Sequence, residues 1–242
     1  MSDARRLAIL ALGRVPYHEA HALQRRLAEA VADEAIDHDL LLLLEHEPTV
    51  TLGRATKETS LLVPPDSLAQ AGITVAEVER GGDVTWHGPG QLVGYPILHL
   101  ARHQQDLHWY LRMVEEALIV ALDALGIPAE RNPGFTGVWT AGRKIASIGI
   151  HVRRWVTTHG FALNVHNDLA DFARIVPCGI TGVEMTSVAQ ELGAAAHAPA
   201  DAWNRTATAV VAGFARTFGL VAVPTGLDAV LARGTPAQPR AY

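Results

Sequence analysis

Residues 80–97 of this 242-residue chain read RGGDVTWHGPGQLVGYPI, and this stretch joins a glycine-rich segment to an apolar run. Its first twelve residues contain four glycines, one proline and six polar or aromatic side chains. Glycine adopts positive φ and lets backbone N–H groups approach a ligand closely. We therefore interpret residues 80–91 as a ligand-binding loop, with a long β-turn containing a bulge as the alternative. The apolar residues that follow at 92–98 predict a buried strand.

Predicted strands and helices follow one another in irregular order on both sides of this loop. Alternating or continuous apolar runs predict strands at 7–12, 40–45, 49–52, 73–79, 92–98, 138–140, 144–153 and 157–165. Helical spacing of apolar residues predicts helices at 17–36, 65–71, 107–125, 187–192 and 201–218. Because no regular βαβ rhythm occurs, we predict an α+β fold in which helices flank a mixed or antiparallel sheet. We expect residues 1–233 to form a single domain and residues 234–242 to form a flexible tail.

The composition excludes several classes of protein. Hydrophobic residues make up 49% and charged residues 19% of the chain, as in a folded globular domain. The net charge of -5 argues against a nucleic-acid binder. The run at 7–12 and the other apolar runs are too short for a membrane span or a secretory signal. A single cysteine excludes an intrachain disulfide, and an unpaired thiol is typical of a cytoplasmic protein.

The basic residues are divided unequally, because the sequence contains 18 arginines and only two lysines, Lys57 and Lys144. Arginine stays charged, whereas an ammonium can release its proton when it is buried or placed beside another charge. Lys144 lies in a predicted strand and is a candidate base; the alternative is an ordinary edge-strand lysine that reaches solvent. Lys57 lies in a polar stretch beside an acid, so we interpret it as a surface residue.

The only thiol, Cys178, lies between Pro177 and Gly179, just ahead of a predicted helix. Most single cysteines are buried residues without chemistry. Proline and glycine, however, predict a turn, and a thiolate in a turn is stabilised by a nearby helix N-terminus or cation. Cys178 is therefore a candidate nucleophile and Lys144 the candidate cation. Backbone N–H groups near Gly179 or in the glycine-rich loop are candidate donors to an oxyanion.

The twelve histidines raise the question of a metal site. His18 and His21 are three residues apart on the first predicted helix, but HEAH differs from the HExxH pattern of metalloproteases and no third ligand is evident. His46 and His87 are interpreted as hydrogen-bonding residues of one pocket. We therefore expect neither a metal ion nor a cofactor.

Three segments together resemble the lipoyl(octanoyl) transferase family: RGGDVTWHGPGQLVGYPI at 80–97, GRKIASIGI continuing to THGFALNV at 142–165, and PCGI at 177–180. The likeness covers most of the chain, and the loop, the lysine and the cysteine each match in order. It implies an α+β fold similar to the catalytic domain of biotin and lipoate protein ligases. It also implies a cytoplasmic acyltransferase that carries out the first step of protein lipoylation.

By this resemblance, the donor would be octanoyl-acyl carrier protein. The acceptors would be a lysine on lipoyl domains of 2-oxoacid dehydrogenase complexes and on the glycine-cleavage H protein. Cys178 would hold the octanoyl group as a thioester, and Lys144 would stabilise the thiolate and act as a base. The residues implied to contact the substrate are Arg80, Gly81, Gly82, Asp83, Val84, Thr85, Trp86, His87, Ser147, Ile148, Gly149, Gly160, Phe161 and Ala162.

Three other functions remain open from the sequence. An ATP-dependent lipoate or biotin protein ligase would share the fold, the RGG loop and the lysine, but would not need a nucleophilic cysteine. A non-catalytic domain that only binds carrier proteins would leave Cys178 and Lys144 buried apart. A cysteine hydrolase would use His87 as its base. We disfavour this function, because water in the site would release the acyl group by hydrolysis and none would be transferred.

Overall fold

A computed structural model describes residues 5–180, 182–193 and 199–233 of the chain, so the predicted tail at 234–242 lies outside the described residues. The strands are, in chain order, Arg6–Arg14 (β1), Asp39–Glu45 (β2), Thr49–Leu52 (β3), Thr74–Glu77 (β4), Val84–His87 (β5), Gln91–Ile97 (β6), Val138–Thr140 (β7), Arg143–Arg153 (β8), Val156–Asn164 (β9) and Val221–Pro224 (β10). The helices are Tyr17–Ala32 (α1), Pro65–Gln70 (α2), Leu107–Ala124 (α3), Val188–Leu192 (α4), Pro199–Phe218 (α5) and Leu227–Arg233 (α6).

The strands form two sheets. The larger sheet has the order β10-β1-β2-β6-β9-β8-β7, in which β1 runs parallel to β2 and β10 and the other neighbours are antiparallel. The smaller sheet has the order β4-β3-β5, in which β3 is parallel to β4 and antiparallel to β5. Both sheets are mixed and helices flank the larger one, so the predicted α+β fold is confirmed.

Helices cover both faces of the larger sheet. On one face, α3 and α5 pack into the core through residues such as Tyr110 and Phe214. On the other face, α1 and α6 contribute Leu27, Val31 and Val230 to a second core. Because both faces are covered, every residue of β6 and β9 is buried, and neither strand contains Asp, Glu, Lys or Arg.

The smaller sheet has its own core, in which Trp86 packs against Phe172 with ring centroids 5.6 Å apart. Residues 170–174 and 177–179 form short 3-10 turns that contact β5. The turn that carries Cys178 is therefore attached to the smaller sheet, whereas Lys144 belongs to the larger one. The two residues can meet only where the sheets adjoin.

The structure differs from the predicted elements in three places. The segment interpreted as one continuous loop contains β5, because its apolar side chains pack into the core of the smaller sheet. Helix α1 ends at Ala32 and not at residue 36, because Glu34 adopts a φ of 59° and the N–H of Ile36 turns back to the carbonyl of Ala30. The short elements β10 and α6 were not predicted.

None of the helices within the described ranges is both long enough and apolar enough to span a membrane.

Candidate active site

A cavity of about 280 Å³ lies between the glycine-rich segment, β8, β9 and the turn at 177–179. Strands β8 and β9 border the cavity with the consecutive residues 147–149 and 159–162, whereas β5 contributes the alternate residues Thr85 and His87. The predicted site residues that line the cavity are Arg80, Gly82, Asp83, Thr85, His87, Ser147, Ile148, Gly149, Gly160, Phe161, Ala162 and Cys178. The fold thus brings all three of the segments singled out from the sequence to one cavity.

Lys144 and Cys178 are in direct contact at the edge of the cavity. Lys144 Nζ donates to Cys178 Sγ at 3.1 Å and to the carbonyl oxygen of Thr136, also at 3.1 Å. Lys144 is fully buried, whereas Cys178 is partly exposed and its Sγ lies 3.7 Å from Ser147 Oγ. This contact contradicts the carrier-binding alternative, which required the lysine and the thiol to be apart.

The Lys144 side chain is held in place from several sides. Its backbone N–H donates to the carbonyl of Glu184 at 2.8 Å, and its carbonyl accepts from the N–H of Thr186 at 2.9 Å. The ammonium lies 4.9 Å from the centroid of the Trp139 ring, in the range of a cation–π interaction. Gly137 has a φ of 135°, and a Cβ at this position would lie 2.8 Å from Lys144 Cε. Only glycine leaves room for the lysine here.

Cys178 occupies a left-handed turn with a φ of 55°, a conformation that costs a non-glycine residue about 1–3 kcal/mol. The N–H of Gly179 donates to the carbonyl of Val176 at 2.9 Å and is thus engaged within the turn, whereas oxyanion donation by other N–H groups near it or in the glycine-rich segment stays a prediction. A Cβ at Gly179 would lie 2.6 Å from Asp83 Oδ2. That carboxylate accepts from the hydroxyl of Ser60 at 2.9 Å, and the carbonyl of Ser60 accepts from the N–H of Val176 at 2.8 Å, so Ser60 connects the turn to the glycine-rich segment.

Arg80 is a second buried cation in the cavity wall. Its Nη2 donates to the carbonyl and the hydroxyl of Thr51 at 2.8 and 2.9 Å, and its Nη1 donates to the carbonyl of Gly81 at 3.1 Å. A Cβ at Gly53 would lie 2.7 Å from Nη1, and one at Gly149 would lie 2.9 Å from Cδ, so these two glycines leave space for the side chain. Burial lowers the pKa of Arg80, but a guanidinium remains charged in a protein.

Tyr17, His87, Tyr95 and His159 form the polar floor of the cavity, and His46 packs against this floor without lining the cavity. His46 Nδ1 lies 2.8 Å from the carbonyl of Val15, which can only accept, so Nδ1 carries the proton and Nε2 accepts from the Tyr95 hydroxyl at 2.6 Å. His87 Nδ1 lies 2.9 Å from Gln91 Oε1, which likewise assigns its proton to Nδ1 and leaves Nε2 as an acceptor.

Burial keeps this floor uncharged. It lowers the pKa of His46 to about 4 and that of His159 to about 3, and it lowers the pKa of His87 well below its usual value. Burial also raises the pKa values of Tyr17 and Tyr95 above that of a free phenol. At neutral pH, the charges closest to Cys178 therefore come from the cations and from Asp83, and not from the aromatic floor.

Three residues predicted to contact the substrate do not line the cavity. Val84 and Trp86 alternate with the cavity-facing residues of β5 and point into the core of the smaller sheet. Gly81 uses its N–H to bond the carbonyl of Ile150 at 2.9 Å and its carbonyl to accept from Arg80. The structure therefore places these three residues outside the cavity lining, and their contact with substrate stays a prediction.

Other cavity residues were not predicted from the sequence. They are Tyr17, Tyr95, Gly134, Phe135, Thr136, His159 and Ile180. Tyr95, His159 and Ile180 lie inside the matching segments, so their position in those motifs was a usable signal. Tyr17 follows the proline that opens α1, and nothing in the sequence marks Phe135 or Thr136.

Within the described ranges, one group of side chains has the spacing of a metal site, namely His21, Glu79 and His159. His18 does not belong to it, since its side chain is 82% exposed. The expected absence of a metal rested on the pair His18 and His21 alone.

The fold and the site together define a class of protein, an α+β domain whose thiol is paired with a buried ammonium beside a partly apolar cavity. This arrangement suits the transfer of an acyl group. A profile of the family described as the lipoyl protein ligase A/B catalytic domain matches residues 16–214.

Close relatives point to one branch of this family. The chain is 47% identical over 228 residues to an octanoyltransferase of Gloeobacter violaceus, covering 94% of this chain and 97% of the relative. It is 53% identical over 189 residues to an octanoyltransferase of Geobacter sulfurreducens, covering 78% and 77%. The chain belongs to the lipoyl protein ligase A/B catalytic domain family and, within it, to the octanoyltransferases. The family and the acyltransferase class implied by the motifs are thereby confirmed.

Solved structures agree on the fold. A lipoate-protein ligase A bound with ATP superposes with a TM-score of 0.71 at 17% identity, covering 96% of this chain and 92% of that one. A bipartite lipoate protein ligase from Thermoplasma acidophilum superposes with a TM-score of 0.70 at 20% identity, covering 96% and 90%.

Proposed function

We propose that this protein transfers an octanoyl group from octanoyl-acyl carrier protein to the ε-amine of a lysine on a lipoyl domain, through a thioester on Cys178. The observation that carries the proposal is the 3.1 Å contact between Lys144 Nζ and Cys178 Sγ at the edge of the cavity. An ammonium at this distance stabilises a thiolate, which is the nucleophilic form of cysteine.

In the first half-reaction, the Cys178 thiolate attacks the carbonyl carbon of the donor thioester. The new bond is an acyl–sulfur bond to Cys178, and the bond that breaks releases the thiolate of the carrier protein. Lys144 gives its proton to that leaving thiolate and becomes neutral. One thioester replaces another of similar energy, so this step needs no ATP.

In the second half-reaction, the neutral ε-amine of the acceptor lysine attacks the acyl-Cys178 carbonyl. Lys144 accepts a proton from the attacking nitrogen, an amide forms, and the Cys178 thiolate leaves. The enzyme returns to its starting charge state. Ser147 Oγ, at 3.7 Å from the sulfur, and N–H groups of the glycine-rich segment are the candidate groups for orienting the thioester.

Apolar side chains in the cavity wall support the proposal of an octanoyl substrate. Ile148, Phe161 and Ala162 supply apolar surface beside the thiol. Burial of an octanoyl tail at ~0.8 kcal/mol per methylene would contribute roughly 5 kcal/mol to binding. At Gly160, a Cβ would lie 2.3 Å from the carbonyl oxygen of Gly94, so glycine is required there for strand packing beside the cavity.

The proposed acceptors are lipoyl domains of 2-oxoacid dehydrogenase complexes and the glycine-cleavage H protein. The proposed compartment is the cytoplasm, where reducing conditions keep a single thiol free to react.

Intact mass spectrometry tests the covalent step. The protein is mixed with octanoyl-acyl carrier protein in the absence of ATP and acceptor. We expect one added octanoyl group on the wild-type chain, none on Cys178→Ser, and one on Ser67→Ala, which removes an exposed hydroxyl outside the cavity lining. An adduct on Cys178→Ser, or no adduct on the wild type, would contradict the proposal.

Addition of a lipoyl domain then distinguishes transfer from ATP-dependent ligation and from hydrolysis. We expect the octanoylated lipoyl domain to form at the same rate with and without ATP. A strict ATP requirement with free octanoate would favour the ligase alternative. Release of octanoate to water in place of amide formation would favour the hydrolase alternative.

A further inference from the structure

His21, Glu79 and His159 bring two imidazoles and one carboxylate together behind the cavity floor. His21 Nε2 lies 3.1 Å from Glu79 Oε2, His159 Nε2 lies 3.8 Å from the same oxygen, and the three ligand atoms all lie within 4.8 Å of one another. Nitrogen and oxygen ligands bind Zn²⁺ at about 2.0–2.2 Å, so neighbouring ligand atoms of a tetrahedral site are about 3.4 Å apart. Small side-chain rotations would bring the three groups to this spacing.

His159 is the member of the group that lacks a partner. It is 2% exposed, and its Nε2 has no hydrogen bond within the described part of the chain. A buried polar atom without a partner is uncommon and costly. A metal ion between Nε2 and the Glu79 carboxylate would satisfy this nitrogen.

Two of the three side chains lie on regular elements, His21 on α1 and His159 on β9, and Glu79 lies in the segment that follows β4. His21 lies on α1, and Gln24, one turn further along the same helix, accepts from the backbone N–H of His159 at 2.7 Å. This bond fixes α1 against β9 beside the group. Glu79 directly precedes Arg80, whose guanidinium is bonded to Thr51. The ligand positions are therefore set by the fold before any ion binds.

We propose that His21, Glu79 and His159 bind one divalent transition-metal ion, with Zn²⁺ as the best-fitting ion and water in the remaining position. Two imidazoles with one carboxylate form a donor set typical of zinc and of related first-row ions, whereas Mg²⁺ and Ca²⁺ prefer oxygen ligands throughout. The ion ties α1 to β9 and to the residue next to Arg80. It takes no part in the acyl transfer proposed above.

Cobalt and zinc titrations test the site. They are performed on the full chain carrying Cys178→Ser, so that the thiol cannot supply a ligand. We expect one equivalent of Co²⁺ to bind with visible absorption bands, and Zn²⁺ to displace it. Adding His21→Ala or Glu79→Gln should weaken Zn²⁺ binding by at least about 10- to 100-fold, the range found when groups that support metal ligands are lost.

His18→Ala is the matched control, because this exposed histidine lies three residues from His21 on the same helix. We expect it to keep full affinity, and added Zn²⁺ to raise its Tm but not that of His21→Ala. Glu79→Gln keeps the shape of the side chain, and circular dichroism checks that it is folded. Zn²⁺ binding that is equally strong in His21→Ala, Glu79→Gln and His18→Ala, or no stoichiometric binding at all, would overturn the proposal.

Discussion

Two buried cations, Arg80 in the cavity wall and Lys144 beside the thiol at its edge, are held in opposite ways. Arg80 donates three hydrogen bonds to carbonyl and hydroxyl oxygens of the protein and is surrounded by glycine backbone. Lys144 donates to one carbonyl and to the thiol of Cys178. The arginine is therefore a fixed charge, whereas the lysine holds a proton in contact with a group that can exchange it. In a chain with 18 arginines and two lysines, the function proposed above requires a lysine, and not an arginine, beside Cys178.

The largest expected effect comes from Lys144→Arg, which keeps a charge but removes the titratable amine. Since general acid–base catalysis contributes typically about 10²- to 10⁴-fold, we expect kcat for octanoyl transfer to fall by that amount. Lys144→Met tests the removal of the charge at similar volume and should lose at least as much. Lys57→Arg changes the other, exposed lysine and should turn over normally. Near-normal rates for Lys144→Arg would show that the lysine acts only as a fixed charge, like Arg80.

Gly137→Ala tests how closely Lys144 must approach the thiol. A Cβ at Gly137 would lie 2.8 Å from Lys144 Cε and 2.6 Å from the carbonyl of Ala146, so the lysine must shift. Because a misplacement of about 1 Å can cost 10²-fold, we expect kcat to fall by about 10- to 100-fold.

Gly142→Ala is the matched control for Gly137→Ala. Gly142 also has positive φ, at 77°, but a Cβ there would meet nothing within 4 Å. It should lower the free energy of unfolding by about 1 kcal/mol with little change in kcat. Equal losses of kcat in the two variants would assign the effect to backbone strain and not to the position of Lys144.

Arg80→Lys makes the opposite substitution to Lys144→Arg, because it puts a lysine in place of the arginine whose charge is fixed. Lysine cannot bond both Thr51 oxygens and Gly81 in the planar arrangement of a guanidinium, so at least one charged hydrogen bond is lost. We expect urea denaturation to show a decrease in the free energy of unfolding of about 1.5–3 kcal/mol. Arg54→Lys, at an exposed position, should be neutral. A kcat loss larger than that of Lys144→Arg would contradict the division of roles between the two cations.

The smallest expected effect concerns His46, a buried histidine that stays uncharged at neutral pH. Burial lowers the pKa of His46 to about 4, so the unfolded chain binds a proton at this residue between about pH 6.5 and 4 while the folded chain does not. Stability from His46 is therefore fully present above pH 6.5 and is lost as the pH falls towards 4. At pH 5, the loss is on the order of 2 kcal/mol.

His46→Gln should make the free energy of unfolding fall less between pH 7 and pH 5 than it does in the wild type, as measured by urea denaturation at both pH values. His108→Gln changes an exposed histidine and should keep the wild-type slope. A wild-type slope in His46→Gln would show that His46 does not contribute to acid sensitivity.

The sequence predicted those parts of the molecule that depend on local pattern. The long helices, the buried strands and the mixed α+β architecture followed from apolar spacing, and the motifs led to the family and to most of the cavity lining. Strand β5 was missed because two pairs of glycines surround its four residues. The inward direction of Val84 and Trp86 depends on the core of the smaller sheet, which only the pairing of β3 with β5 creates.

Contacts between distant segments could not be read from the chain. Lys144 and Cys178 are 34 residues apart, the first on a strand of the larger sheet and the second in a turn that packs against the smaller sheet. Their contact was a hypothesis from chemistry and from the family until the folded geometry placed them together. Likewise His21, Glu79 and His159 come from a helix, a loop and a strand, and no spacing in the sequence relates them.

A single-turnover experiment on the isolated acyl-enzyme tests the central claim most directly. Wild-type protein and Lys144→Arg are first loaded with octanoyl on Cys178, freed of donor, and mixed with excess lipoyl domain. Amide formation is then followed by mass spectrometry. We predict rapid transfer from the wild type and an acyl-enzyme that persists in Lys144→Arg, because no neutral amine is present to accept the proton. Equal transfer rates from the two acyl-enzymes would contradict the assignment of Lys144 as the proton acceptor.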